Sequence, residues 1–308
     1  GGGIWPAPNT FDIERERRSF FWGKDENGLL VYYDDYNSEA GKGYHHEEWY
    51  VPALYLQKGG VYWSKSYLDP YSLEPMVTCT VPMWRDDNIV GVATIDLRLL
   101  GLSDFMTEQA SFVGGYAFAV DRNYRLLSTP EASAWPEIWE AVADNDREDF
   151  PTLYDLVAVR SELAAVVTAM DVIDRQAEQR LIGISPYRIS DLAKEISSRS
   201  YQLDLDEAMH VSALLVSGSV SSSPSPSNTA HHFVYLMDPL VNESTSVSVL
   251  GMPDIGWKIV VAMPTRYTSE VVDNITERML NLLLVLVVVA ALLYALFFNM
   301  AFLRPVYR

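Results

Sequence analysis

The run "MLNLLLVLVVVAALLYALFFNMAFL", residues 279–303, constrains this chain more than any other stretch. It carries no charge, and its strongly polar members, Asn281 and Asn299, stand near its ends. About 20 apolar residues suffice to cross the hydrocarbon core as a helix. A helix buried in a globular core would show polar interruptions on at least one face. The run is therefore expected to be a transmembrane helix with membrane lipid as its partner. Arg304 and Arg308 follow it at once, whereas Arg278 is the one nearby base in the acidic and polar stretch before it. The positive-inside rule then expects a cytoplasmic C-terminus, with residues 1–275 on the other side.

A region of that size must build its own core. Of the 308 residues, 49% are hydrophobic and 12% aromatic, which supports folded domains and argues against disorder. The formal net charge of −18 repels nucleic acid and anionic headgroups, so no nucleic-acid partner is expected. Cys79 is the one cysteine; it excludes an intrachain disulfide and reads as a small buried hydrophobe. The opening "GGGIWPAPNTF" lacks an initiator Met and a signal-peptide pattern, so the chain is expected to begin inside a larger protein.

Residues 20–100 read as strands and turns. "SFFWG" and "LLVYYDDY" flank the turn cluster "KDENG", and "PMVTCTVPMW" and "IVGVATIDLRL" flank "RDDN". "WYVPALYL" reads as a short helix with Pro52 in its first turn. "YAFAVDRNYRLLSTP" repeats the strand–turn–strand style, and a helical block follows over 135–216. "SGSVSSSPSPSNT" reads as a Ser/Pro linker over 217–230, and strands return in "HHFVYLMDPL", "TSVSVLGM" and "GWKIVVAMP".

These residues resemble a known family. "WY.PA" followed by "YWSKSYLDPYSLEPMVTCTVP" and "GVATIDLRLLGLSDFM" is similar to the membrane-distal half of double Cache (dCache) sensor domains, extracytoplasmic ligand-binding modules of bacterial transmembrane receptors. "GYAFAVDRNYRLLSTP" and "GWKIVVAMP" resemble the two ends of the membrane-proximal Cache unit, and "RPVYR" the entry to a HAMP linker. The resemblance implies an α+β fold of two PAS-like antiparallel-sheet units: a distal unit over 1–110, a proximal unit over 111–134 and 231–266, and a cytoplasmic linker from 304 to 308. On the helical block it is silent. It also implies a homodimer, a location in the bacterial inner membrane, and no catalysis within this chain.

In amino-acid-binding members, an Arg two residues before the "WY" Trp holds the ligand carboxylate. The Tyr and Asp of a "Y.D" strand, with an Asp on the next strand, hold the ammonium. Carried over, Trp49, Tyr50, Tyr67, Asp69 and Asp96 match, but the Arg position is Glu47. The amine-sensing branch of the family also lacks that Arg. The resemblance therefore implies a small cationic amine held by Glu47, Trp49, Tyr50, Tyr67, Asp69 and Asp96. Converging carboxylates repel one another, and a cation would relieve them.

Plainer roles stand beside these. Trp49 and Tyr50 also suit core packing, Asp69 before Pro70 a turn, Asp96 a pair with Arg98 or a helix cap, and Glu47 a solvated helix start. Rival readings are an amino-acid sensor in which Arg15, Arg17 or Lys65 replaces the missing Arg, and a membrane-tethered protein-interaction module docking through 135–216. "HHEEW" and His231-His232 lack metal-ligand spacing, and no nucleophile or phosphate-loop motif supports an enzyme or a cofactor.

Overall fold

The computed structural model describes residues 1–25, 27–69, 74–130, 150–179, 181–220, 229–238, 240–267 and 278–286. Two antiparallel sheets organise them. The first contains β1 (Gly2–Pro6), β2 (Phe20–Lys24), β3 (Leu30–Tyr33), β4 (Tyr62–Trp63), β5 (Tyr67–Leu68), β6 (Pro75–Arg85) and β7 (Asn88–Arg98). Its order is β3-β2-β1-β7-β6-β4, with β5 also paired to β6. The second contains β8 (Tyr116–Val120), β9 (Thr229–Tyr235), β10 (Thr245–Met252) and β11 (Trp257–Pro264), in the order β8-β11-β10-β9. This is the α+β class with two antiparallel-sheet units that the sequence implies.

Local chemistry makes the hairpins. Asp25 accepts from the Asn27 and Leu29 amides at 2.9 and 2.8 Å and so closes the β2–β3 turn. The β6–β7 hairpin turns at Asp86, whose φ of 55° is a conformation that Asp adopts at low cost. Cys79, on β6, is half-buried rather than buried.

Among the described residues these helices pack with the sheets: α1 (Leu99–Ser111), α2 (Leu153–Val159), α3 (Ala164–Gln179), α4 (Pro186–Arg199) and α5 (Leu205–Val220). The second sheet lies between two of them. Phe118, Val249, Val260 and Ala262 pack against Val166, Met170 and Ile173 of α3. Ala117 and Ala119, from the alternate register of β8, pack instead with Leu99, Met106 and Ala110 of α1. A reciprocal box starts α2: Asp155 accepts from the Thr152 amide at 2.8 Å, while Thr152 accepts from the Asp155 amide.

The helical block divides between the two sheets. While α2 and α3 cover the second, α4 presents Ala193 and Ile196 to the first, where they join Leu203, Ala208 and Val211 around Trp5, Trp49, Tyr50 and Tyr62. Ile189, Ala193 and Ile196 form one stripe at helical spacing, and Pro186 opens the helix where a missing N–H costs nothing.

Three local expectations differ from the structure. "WYVPALYL" forms only a 3-10 turn at Pro52–Tyr55. The second strand of "YAFAVDRNYRLLSTP" reduces to isolated bridges, Val120 with Leu126 and Arg125 with Thr152. There the Asp121 carboxylate captures the amides of Asn123 (2.8 Å) and Arg125 (3.0 Å), and Tyr124 takes φ 61°. Finally, α5 continues to Val220, past the expected start of the linker at 217. The rest of that linker over 221–228, the first part of the helical block and most of the expected span 279–303 lie outside the described residues. Residues 278–286 are helical, and among the described residues no helix is long and apolar enough to cross a membrane.

Candidate functional site

A cavity of about 450 Å³ opens on the first sheet's side of the molecule. Four stretches of chain meet there: the β1–β2 connection through Arg17, the long connection between β3 and β4, the β4–β5 segment, and the link between α4 and α5. Of the residues singled out in the sequence, Glu47, Trp49 and Tyr67 line it. Tyr50, Asp69 and Asp96 do not.

The adjacent acids Glu47 and Glu48 take different tasks. Glu47 follows the 3-10 turn Tyr44–His46 in an extended conformation, and its carbonyl accepts from the Tyr50 and Val51 amides at 3.1 and 3.0 Å. Its half-buried carboxylate accepts a hydrogen bond from the Tyr201 hydroxyl. Burial raises the Glu47 pKa, against the pull of Tyr201 and Gln202. Among the described residues no cation pairs with it. Glu48 is buried and fully engaged. It pairs with the Arg122 guanidinium, accepts from the Tyr62 hydroxyl, and faces the Lys65 amide at 3.3 Å. Burial alone would lower the Arg122 pKa, but Tyr62, Glu48 and Asp121 hold it above its ordinary value.

Tyr67 reaches the cavity from β5. Its hydroxyl shares a hydrogen bond with Thr78 Oγ1 (2.7 Å), which in turn donates to Asp96 (3.0 Å) across the β6–β7 pair. Asp69 and Asp96 stand near enough to hold the Tyr67 pKa up, burial being the larger cause. Burial likewise raises the Asp96 pKa, with Asp69 adding to it. Asp96 thus stands behind the Tyr67 hydroxyl, with Asp69 close enough to act on both groups. Arg98 bonds Glu74 at 2.9 Å. Tyr50 belongs to the core: it is buried among Tyr44, His45 and Trp49, and its hydroxyl has no partner among the described residues. Trp49 does both jobs, packing on Trp5 at 4.7 Å between ring centroids while lining the cavity.

The bases at the cavity are Arg17, Lys42 and Lys65. Lys65 is held by Glu207 at 3.0 Å and by the Gln202 carbonyl at 2.9 Å. Arg17 donates to the carbonyls of Ser38, Ala40 and Gly41. Lys42 stands 4.3 Å from the centroid of the Tyr201 ring. Arg15 lies elsewhere, beside Asp12 at 3.6 Å. Sequence reasoning missed Glu48, Lys42, Tyr201 and Gln202; the apolar stripe of α4 was the one signal that this helix covers something.

The cavity wall is also tied to the second sheet. Asp121 accepts from the Ser66 amide at 2.9 Å, Arg122 donates to the Trp63 carbonyl at 2.8 Å, and Arg125 donates to the Ser66 carbonyl at 2.8 Å. Of the residues gripped, Ser66 lies between Lys65 and Tyr67, and Trp63 lies two residues before Lys65. Among the described residues no cluster of His, Cys, Asp and Glu could hold a metal ion.

Residues 1–104 match the family model of the methyl-accepting chemotaxis protein-like first PDC sensor domain. No curated protein matches. Among solved structures, the extracellular domain of the putative histidine kinase mmHK1S-Z3 is 13% identical, with 89% of this chain and 75% of that chain covered and a TM-score of 0.43. The ligand-binding domain of the Pseudomonas aeruginosa PAO1 amino acid chemoreceptor PctC, in complex with GABA, is 14% identical, with 79% and 73% covered and a TM-score of 0.35. The ligand-binding domain of Mlp24 with asparagine is 14% identical, with 82% and 71% covered and a TM-score of 0.32. At these identities and scores the family model carries the assignment, and it names a sensing domain rather than a catalytic one. Residues 1–104, about a third of the chain, thus match a sensor-domain model of the first-PDC kind.

Proposed function

We propose that the cavity at Glu47 binds a small cationic amine, and that the chain is the extracytoplasmic sensing region of a bacterial transmembrane receptor. One observation carries this reading: Glu47 is a half-buried carboxylate beside the Trp49 ring with no cationic partner among the described residues. An ammonium would supply the missing countercharge. A charge-assisted hydrogen bond contributes about 1.5–3 kcal/mol and an aromatic face about 0.5–2 kcal/mol. Asp96, behind the Tyr67 hydroxyl, and the nearby Asp69 add negative potential. The segment 62–66 carries occupancy to the second sheet through Asp121, Arg122 and Arg125. A ligand shifts that junction only by its differential affinity for two arrangements. On this reading the apolar run 279–303, expected from the sequence to span the membrane, passes the shift across it within a homodimer.

A second reading, an amino acid, is favoured by Arg17 and Lys42. Both line the same cavity, and neither forms an ion pair among the described residues, so either could receive a carboxylate. Calorimetry with putrescine and choline against alanine separates the two. On the amine reading the amines bind, Glu47→Gln weakens them at least about tenfold, the loss of one charge-assisted contact. Affinity also rises as pH rises through the raised Glu47 value, because only ionised Glu47 attracts the ammonium. Binding of alanine without either amine would refute the amine reading and leave the zwitterion.

A further inference from the structure

The link between α4 and α5 brings two side chains into the cavity from a segment on which the sensor pattern is silent. Tyr201 donates its hydroxyl to Glu47, the acid assigned above to the ligand. Gln202 accepts from the Glu48 amide at 2.7 Å through Oε1, and its carbonyl accepts from Lys65 Nζ at 2.9 Å. Both residues line the cavity together with Trp49 and Tyr67. Neither is placed there by a loosely attached loop. Leu203, Ala193 and Ile196 are buried in the same core as Trp49 and Tyr50. His46 Nδ1 bonds the Arg199 carbonyl at 2.7 Å, and Tyr55 donates to Glu195 at 2.8 Å.

Tyr201 also shows what its ring attracts. The Lys42 ammonium lies 4.3 Å from the ring centroid, within the range in which a π face holds a cation. Tyr201 is 44% exposed, so it keeps surface for a guest. A ring that already draws an ammonium, with its hydroxyl on an unpaired carboxylate and an indole on the same cavity, has the make-up of an aromatic and acidic cage.

We propose that Tyr201 is a ligand-contacting residue that sets the cavity's selectivity for ammonium groups, so that the α4–α5 hairpin is part of the recognition apparatus. This rests on the amine reading of the cavity. The ring supplies a cation-binding face beside Glu47, and Gln202, next in the chain, anchors the link by accepting from the Glu48 amide. The hydroxyl is secondary, because a quaternary ammonium has no N–H to share with it.

The test is calorimetry on the 308-residue chain in detergent with choline and putrescine, comparing the parent with Tyr201→Leu, Tyr201→Phe, Glu47→Gln and Tyr187→Ala. Tyr201→Leu keeps apolar bulk without a π face and should weaken choline about twofold to thirtyfold. Tyr201→Phe keeps the face and should bind choline within about twofold of the parent. Tyr187 is 80% exposed on the same hairpin, so its replacement should change nothing. Equal binding by Tyr201→Leu and the parent, with Glu47→Gln defective, would overturn the role of Tyr201 and leave the amine reading standing. Equal losses in Tyr201→Leu and Tyr201→Phe would overturn the cation–π role. Equal losses in Tyr187→Ala and Tyr201→Leu would reduce the hairpin to a scaffold and overturn the proposal. If neither amine binds the parent chain, the amine reading falls and this inference with it.

Discussion

Glu48→Gln tests the most consequential interaction in the molecule. The change keeps the shape of the side chain and removes its charge. The Glu48 and Arg122 side chains are 4% and 5% exposed, so water cannot replace the lost partner. Arg122 would keep the Tyr62 hydroxyl at 2.7 Å and the Trp63 carbonyl at 2.8 Å, both neutral, with Asp121 nearby. Stranding one member of a buried pair costs about 3–5 kcal/mol, and the nearby Asp121 places this case toward the lower figure. With a urea slope of about 3 kcal/mol per molar, the unfolding midpoint should fall by about 1–2 M. Adding Arg122→Met removes the stranded charge and should recover much of the loss, because the amide left at position 48 can still accept from the Tyr62 hydroxyl. A midpoint unchanged by Glu48→Gln, or a double variant no more stable than the single one, would show that the pair does not hold the first sheet's loop to the second sheet's turn.

Two further outcomes follow from burial and backbone geometry. Burial pushes the His45 pKa down to about 4 from its ordinary 6.5. As pH falls the unfolded chain takes up that proton first, so the stability present above pH 6.5 is lost progressively toward pH 4. The raised Glu47 and Asp96 values act in the opposite sense, their contribution being lost as pH rises, so the parent must be compared with His45→Phe, which should flatten the curve between pH 4 and 6.5; identical slopes would refute the assignment. Gly115→Ala should be severely destabilising by thermal melting. A Cβ there would lie 1.9 Å from the Ala262 carbonyl oxygen, and the cost should reach the top of the about 1–3 kcal/mol range for overpacking; an unchanged Tm would refute it.

The hairpins were legible because their causes are local. Alternation and Asp or Gly turns fix β2–β3 and β6–β7 within a few residues of chain. The expected helix at "WYVPALYL" failed for an equally local reason. Glu47 is extended, and Pro52 has no N–H to give, so the chain there makes separate 3-10 turns. The second strand after β8 failed because one side chain, Asp121, competes with a neighbouring strand for the amides of Asn123 and Arg125.

The site divides along the same line. Glu47, Trp49 and Tyr67 lie within one short stretch of chain, and the motif that joins them is visible without a structure. Tyr201 and Gln202 meet Glu47 and Glu48 from 154 positions away, and no local pattern announces that contact. The same distance problem governs the neighbouring acids themselves. A buried carboxylate needs a cation, and among the described residues one guanidinium, 74 positions along the chain from Glu48, pairs with one of these two acids. Arg122 satisfies Glu48. The acid left facing the cavity is therefore Glu47, and its want of a countercharge follows from where Arg122 lands, which the adjacency of two glutamates in the sequence does not reveal.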